Sequence, residues 1–521
     1  MNPGTPGVFY WHNPSPIFME RKNLIQRNML LSLMILFALL MQPAAAGANK
    51  VFEFTGGCQK AYSAIIHWKM ADGIRLIQAE KLSNPDNLIP YFLENYIDFF
   101  VLFFNEDPEE YKIRRPRIER RLALMSSGDP SSPFYNFTRT VINFQSAAID
   151  IKFGKNWDAG WSFRRAFLLS RESVRIFPAF EPARYYYGSM QVAASSIPSG
   201  YKWLSNLLGI QGDAKKGMQL MEGFITNESG FAPLFRNEAI FYYLYLKFHV
   251  QNDPKGVFEF LKKNNINTSD NHLFAYLATN LYLNNQQSDE AYKVLTGRKV
   301  EPGYFLTPVW DLEMGYIRTH QLKPDAPMYL ERFLLKFRGQ FYIKDVLSKL
   351  SWLYYLEGNM LKAESFRKAI LLSGSLDTEA DKNAQKFAAS GAYPDKILLR
   401  ARLLSDGGYF KEALNMIAGK TVEDFVKPAD KLEFLYRSGR IYDALMEDNK
   451  AISNYQNAYR FGEKRPEYFA ARAALQLGFL YEKRNEFDAA AKWFKQCIAL
   501  KNHEFKNSLD QKAKAGLQRV E

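Results

Sequence analysis

Residues 435–458 read LYRSGRIYDALMEDNKAISNYQNA, and residues 474–497 read ALQLGFLYEKRNEFDAAAKWFKQC. Laid over one another they agree at one offset: Gly439 and Gly478, Tyr442 and Tyr481, Ala451 and Ala490, and Tyr455 and Phe494 are each 39 residues apart. A self-similar period of this length marks a helical repeat array, in which each unit buries its apolar side against the next. The spacing also assigns roles within each copy. Gly439 and Gly478 fall mid-helix, where glycine costs about 1 kcal/mol relative to alanine, a cost accepted where a neighbouring helix must come close. Tyr442 and Tyr481 follow one turn later and are expected to fill the space the glycines leave. Ala451, Tyr455 and Ala458 share one face of a second helix, as do Ala490, Phe494 and Cys497. That small–aromatic–small stripe suits a helix lying antiparallel to its partner.

The order of leucine, glycine and tyrosine, then alanine and an aromatic, resembles the tetratricopeptide repeat, with Leu435 and Ala474 standing where that family has tryptophan. The usual unit is about 34 residues, and the surplus here is expected in a longer turn around residues 461–466. Looser copies lie at Gly154, Ala159, Phe163 and Ala166, and at Gly358, Ala363, Phe366 and Ala369. Another opens at Gly391-Ala392-Tyr393-Pro394 and continues through Ala401, Gly408 and Ala413, with Ala401 to Gly439 and Ala413 to Ala451 both 38 residues. The expected fold is all-α: tandem helix hairpins forming a tetratricopeptide-like α-α superhelix, with degenerate repeats over residues 49–300 and better-formed ones over residues 301–521. Residues 185–250 carry a distinctive block, Tyr185-Tyr186-Tyr187-Gly188, then Ile197-Pro198, Trp203, Gly209, Gly212 and Gly217. It is similar to a eukaryotic repeat family that includes the fungal protein of inclusion-body clearance, and to exported repeat proteins of Bacteroidetes-like bacteria. That likeness implies the repeat fold and brings no catalytic residue with it.

Residues 29–41 (MLLSLMILFALLM) form the one strongly apolar run, preceded by Arg21, Lys22 and Arg27 and followed by PAAAGA at residues 43–48. A positive head, a short apolar centre and a small-residue exit read as a secretory signal peptide over residues 1–48, cleaved after Ala46 or Ala48. Met19 is a second candidate start. The run falls short of the ~20 residues a bilayer span needs, and an uncleaved N-terminal membrane anchor is the alternative. The expected location is the periplasm or the outer membrane. Residues 88–104 are also apolar, but Pro90, Glu94, Asn95 and Asp98 mark them as a buried repeat helix.

The formal net charge is +13, with Lys and Arg spread along the chain. The densest run, residues 112–121 (KIRRPRIERR), reads as a solvated helix face, and no spacing matches a nucleic-acid-binding motif. No nucleic-acid partner is expected, while peripheral membrane association is compatible with the charge. The 41 Phe and 30 Tyr are expected as fillers between helix layers. The two cysteines, Cys58 and Cys497, sit near opposite ends of the chain and are not expected to pair.

Chemistry-bearing motifs are missing from the sequence. None of His12, His67, His249, His272, His320 and His503 has a second histidine three or four residues away, which removes the usual zinc spacing, and they read as scattered surface or interface residues. Glu106 to Glu110 (EDPEE) reads as a solvated acidic turn without calcium-loop spacing. No nucleophile elbow or phosphate loop is visible. No cofactor and no metal are expected, and the chain reads as a non-enzyme. Binding is expected on the groove formed by the first helix of each pair. Its candidate residues are Tyr436, Arg440 and Asp443 from one repeat and Arg472, Phe479 and Glu482 from the next. The expected function is a protein-interaction scaffold of the cell envelope holding a protein or peptide segment. The alternative is an outer-membrane-associated accessory for glycan or nutrient uptake.

Overall fold

Among the described residues, eight helix ends share one closure built on a residue in the left-handed region: Trp68, Gly154, Gln286, Leu322, Gly358, Gly408, Met446 and Asn485, with φ between 51° and 89°. In each case the next residue donates its N–H to the carbonyl five positions back, at 2.7–2.9 Å, as in Glu447 to Tyr442 and Glu486 to Tyr481. This is the Schellman closure, which satisfies carbonyls that a helix end would otherwise leave open. Five residues after each left-handed position stands a buried, compact residue: Gly73, Ala159, Ala291, Pro327, Ala363, Ala413, Ala451 and Ala490. The turn reverses the chain, and the compact residue lets the returning helix lie close against the one just finished.

A computed structural model describes residues 50–196 and 209–521, and among these residues there are 24 α-helices and no β-strand. The first eight are α1 (Gly56–Ile66), α2 (Met70–Ser83), α3 (Ile89–Asn105), α4 (Pro108–Met125), α5 (Pro133–Lys152), α6 (Asn156–Ile176), α7 (Glu181–Ser195) and α8 (Ala214–Ile225). The middle eight are α9 (Ala232–His249), α10 (Pro254–Lys263), α11 (His272–Asn284), α12 (Ser288–Thr296), α13 (Val309–His320), α14 (Ala326–Lys336), α15 (Ile343–Glu357) and α16 (Met360–Leu372). The last eight are α17 (Glu379–Ser390), α18 (Lys396–Asp406), α19 (Phe410–Ile417), α20 (Pro428–Ala444), α21 (Asp448–Gly462), α22 (Phe469–Lys483), α23 (Phe487–Ala499) and α24 (Lys506–Val520). Phe52–Glu521 form one compact unit, and before it only Lys50 and Val51 are described. The apolar run at residues 29–41, expected to be the core of a signal peptide, and the Ile197-Pro198 and Trp203 parts of the distinctive block lie outside the described residues.

The two repeats that set the pattern are the hairpins α20/α21 and α22/α23, and they pack on one another in turn. The mid-helix glycines are required by aromatics of the second helix. A Cβ on Gly439 would sit 2.6 Å from the Tyr455 ring, and one on Gly478 would sit 2.4 Å from the Phe494 ring. Tyr442 and Tyr481, expected to fill that space, instead supply the carbonyls that close the helix ends and stay half-buried. Cys497 is fully buried on the face of α23 that carries Phe494, and both cysteines are unpaired. Helix α17 packs as a third helix on the pair α15/α16: it ends on Gly391, and Tyr393 then stacks on Tyr355 of α15 with centroids 4.3 Å apart. The segment expected to open a repeat therefore closes the preceding layer.

In the N-terminal part the core is denser in aromatics and in buried charge. Helix α3 is buried along most of its length, and its buried polar residues are matched. Asn95 bonds Gln145 at 2.7 Å, and Asp98 accepts from Arg114 at 2.5 Å and from Arg121 at 2.7 Å. Arg115 is paired with the buried Asp150. Three arginines of the run expected to be a solvated face thus neutralise carboxylates of neighbouring helices. The Tyr185-Tyr186 block meets Glu238 of α9. All four phenols of Tyr62, Tyr96, Tyr185 and Tyr186 donate to its carboxylate, at 2.6, 3.0, 2.9 and 2.5 Å. One buried charge with four donors ties α1, α3, α7 and α9 together. Beside it α7 and α8 cross backbone to backbone, a Cβ on Gly188 falling 2.7 Å from the Gly217 carbonyl.

The stack also folds back on itself. The Phe305 N–H donates to the Trp68 carbonyl at 2.7 Å, and Lys69 pairs with Asp270 at 2.7 Å. Trp68, fully buried, is ringed by Phe100, Phe104, Tyr276, Phe305 and Trp310. Gly478→Ala is expected to destabilise the protein by up to about 2 kcal/mol, an overpacking cost of roughly 1–3 kcal/mol less the roughly 1 kcal/mol alanine gains in a helix. In a Phe494→Leu background the same change should cost less, since the ring met by the new methyl is gone. Equal costs in both backgrounds, read by thermal unfolding, would show that the ring does not dictate the glycine.

Candidate functional site

Where the chain returns on itself, helices from both parts of the stack leave a cavity of about 290 Å³. One wall is the face of α13 that carries Val309, Leu312, Glu313, Tyr316 and His320, spaced three and four apart as one helical stripe. A second wall is α11, through Tyr276, Asn280 and Leu283. The end of α3 contributes Phe103 and Phe104, α14 contributes Phe333, and Phe337 and Phe341 follow in the loop before α15. Asn284 and Tyr342, the exposed members of the lining, mark its mouth.

The charged groups of this lining cancel in pairs, with one exception. Glu106 accepts from Lys152 at 2.7 Å and receives the backbone N–H groups of Gln340 and Phe341 at 3.3 and 3.4 Å. Its residue adopts φ 48°, and it is buried, not part of the solvated turn expected for residues 106–110. Burial raises its carboxyl above the ordinary range, against the lowering effect of Lys152. Asp345 accepts from Lys349 and from the Tyr316 hydroxyl, both at 2.9 Å. His320 Nδ1 shares a hydrogen bond with the Ser288 hydroxyl, 3.0 Å away, and burial pushes its imidazole down to about 4, so it is neutral at physiological pH.

Glu313 is the exception. It is 3% exposed, lines the cavity, and neither carboxylate oxygen has a hydrogen-bond partner among the described residues. Burial holds its carboxyl well above the usual range. The one opposing influence is Arg298, whose guanidinium lies over the Trp310 ring, 3.9 Å from its centroid, and makes no bond to Glu313. An unpartnered buried carboxyl is expensive, and here both of its oxygens are closed off from solvent and from the cavity.

The groove residues expected from the repeats are distributed differently. Tyr436 is 4% exposed and packs on Tyr455 and Phe469, so it is a core residue and offers no ring to a groove. Arg440 bonds Gln476 at 3.0 Å, and Asp443 accepts from the Tyr455 hydroxyl at 3.2 Å. Phe479 packs on Phe494, and Glu482 pairs with Arg519 of α24 at 2.6 Å, so the last helix lies across both. Arg472 alone of the six is exposed. His272, expected at a surface or interface, is fully buried and stacks on Tyr304 with centroids 3.8 Å apart. No group of three His, Cys, Asp or Glu among the described residues could hold a metal ion. The cavity was signalled in the sequence only by a glutamate set within an apolar helical stripe.

Because the folded state keeps the Glu313 proton above the ordinary glutamate value of 4.5, it binds more protons than the unfolded chain between that value and its own. Stability from this group is therefore complete below that window and is lost as pH rises through it. Glu313→Gln is neutral at every pH. It is expected to melt with the wild type near about pH 4.5 and above it near about pH 8, the gap widening between. A gap that is constant or reversed across a pH series of thermal melts would refute this.

The chain matches no protein-family model and no curated protein. Among solved structures it is similar to one titled "Structure of Naa15/Naa10 bound to HypK-THB", at 13% identity over 89% of this chain and 79% of that one, with a TM-score of 0.17.

Proposed function

We propose that this protein is a non-enzymatic adaptor of the cell envelope, which holds a protein segment on the surface of its stacked helix hairpins. The observation that carries the reading is the eight-fold recurrence of one hairpin closure, a left-handed helix end followed five residues later by a compact buried residue. An array built this way presents a long succession of helix faces, and such surfaces serve recognition. The leader-like residues 29–41 support placement in the envelope, with the periplasm or the outer membrane as destination and peripheral membrane association compatible with the charge of +13. Among the described residues no helix is long and apolar enough to cross a membrane.

A second reading has one observation in its favour. The cavity beside Glu313, walled by aromatic rings, suits a small molecule, as an accessory of glycan or nutrient uptake at the outer membrane would require.

A photo-crosslinker placed at the exposed Arg472, in cells that are then fractionated, separates the two. The adaptor reading expects a discrete crosslinked protein in the envelope fraction and a mature chain that begins at Gly47 or Asn49. Recovery in the cytosol with an intact leader would overturn the envelope placement. Binding of soluble glycans with no crosslinked protein would favour the uptake reading.

A further inference from the structure

The cavity at the return of the chain is walled by hydrocarbon and offers no counter-charge. Phe104, Leu312, Phe333 and Phe337 form its buried surface, while Asn284 and Tyr342 at the mouth are exposed and leave a way in. The acids of the lining are already answered. Glu106 pairs with Lys152 at 2.7 Å and Asp345 with Lys349 at 2.9 Å. Glu313 feels Arg298 and has both oxygens closed off from the cavity, and His320 is neutral. An ion entering this space would lose its water and find no free opposite charge, so the lining selects against ions of either sign.

Size and polarity narrow the occupant further. An apolar cavity of roughly 150 Å³ takes up benzene, and this one, at about 290 Å³, has room for two fused rings. Aromatic walls favour offset or edge-on packing with such a molecule. Tyr276 adds a polar contact. Its ring lies beside Phe104, with centroids 4.9 Å apart, and its hydroxyl, which burial keeps protonated, makes no hydrogen bond among the described residues. A phenol both donates and accepts, so one polar substituent on the occupant is enough to meet it. A sugar, with a hydroxyl on nearly every carbon, would leave most of them unmet against the phenylalanine wall.

We propose that this cavity binds a neutral aromatic molecule of one or two fused rings, which enters past Asn284 and Tyr342, packs against Phe104, Phe333 and Phe337, and bonds the Tyr276 hydroxyl through one polar substituent. The inference rests on the second reading above, that the cavity takes a small molecule, and narrows it from a glycan or nutrient of any kind to a hydrophobic ring. It is independent of whatever segment the outer helix faces hold.

Calorimetric titration of the full chain with 2-naphthol, 2-naphthoate and methyl glucoside tests the assignment at about pH 7, where the naphthoate is ionised and the naphthol is not. 2-Naphthol is expected to bind saturably below about 1 mM, at least about ten-fold tighter than either of the others. Asn280→Trp, which sets an indole in the cavity one turn from Tyr276, is expected to abolish that binding. Tyr276→Phe is expected to weaken it about two- to ten-fold, the effect of one hydrogen bond. Naphthol binding no tighter than naphthoate would overturn the proposal, and so would unchanged naphthol affinity in Asn280→Trp or in Tyr276→Phe. The wild-type comparison among the three compounds stands on its own if a variant does not fold. Saturable binding of methyl glucoside without naphthol would overturn the aromatic assignment and keep the second reading, whereas saturation by none of the three would overturn both.

Discussion

The architecture depends on how a helix stops. A hairpin of two short helices is too thin to cover its own apolar side, so it must turn back at a fixed angle and present that side to the next pair. The left-handed closure does this eight times, and the position five residues later keeps the returning helix close. Glycine suits the left-handed position, yet only Gly154, Gly358 and Gly408 use it there. At Trp68, Gln286, Leu322, Met446 and Asn485 a side chain occupies a conformation that costs roughly 1–2 kcal/mol. Burial around the turn offsets that cost at Trp68, which sits among five aromatic rings. Because several residue types satisfy the turn, the repeats drift apart in sequence while the backbone stays the same.

Charge is handled by a consistent rule. Taking a carboxylate out of water is costly unless donors replace the water. Asp98 is met by two arginines, Asp150 by Arg115 and Tyr111, and Glu238 by four phenols. Each of these clusters joins separate helices, so the charge also specifies which faces meet. The same rule explains why a basic run that looks solvated in sequence is spoken for in the structure. Arg114, Arg115 and Arg121 lie on the inner side of α4, where the carboxylates of α3 and α5 wait.

Much of this was legible in the amino-acid sequence. The period of 39 residues, the glycine–alanine–aromatic order and the polar residues inside residues 88–104 all led to an all-α array with a buried α3. The error over Tyr442 and Tyr481 shows where such reading stops. Spacing along one helix tells which residues share a face, but not which helix supplies the side chain that fills a gap; Tyr455 and Phe494 come from the partner helix. Tyr436 failed for a related reason: the first helix of a pair is covered on two sides, and Phe469 of the next pair buries it. The cavity was out of reach altogether, because its walls are drawn from residues 103 to 380.

That last point bears on what kind of array this is. In an open solenoid each unit touches its neighbours alone, and no unit can enclose space with a distant one. Here Tyr62 reaches Glu238, 176 residues on, and Glu106 reaches the backbone at Gln340, 234 residues on. Contacts of that span carry a loop-closure cost that must be recovered by what they bury. Tyr62 recovers it in a dense polar and aromatic core. Glu106 recovers less, since it seals one side of a cavity. A fold that needed only rigidity would fill that space with side chains, as it does around Trp68 and Phe494. Leaving it open keeps a cost that nothing in the packing repays.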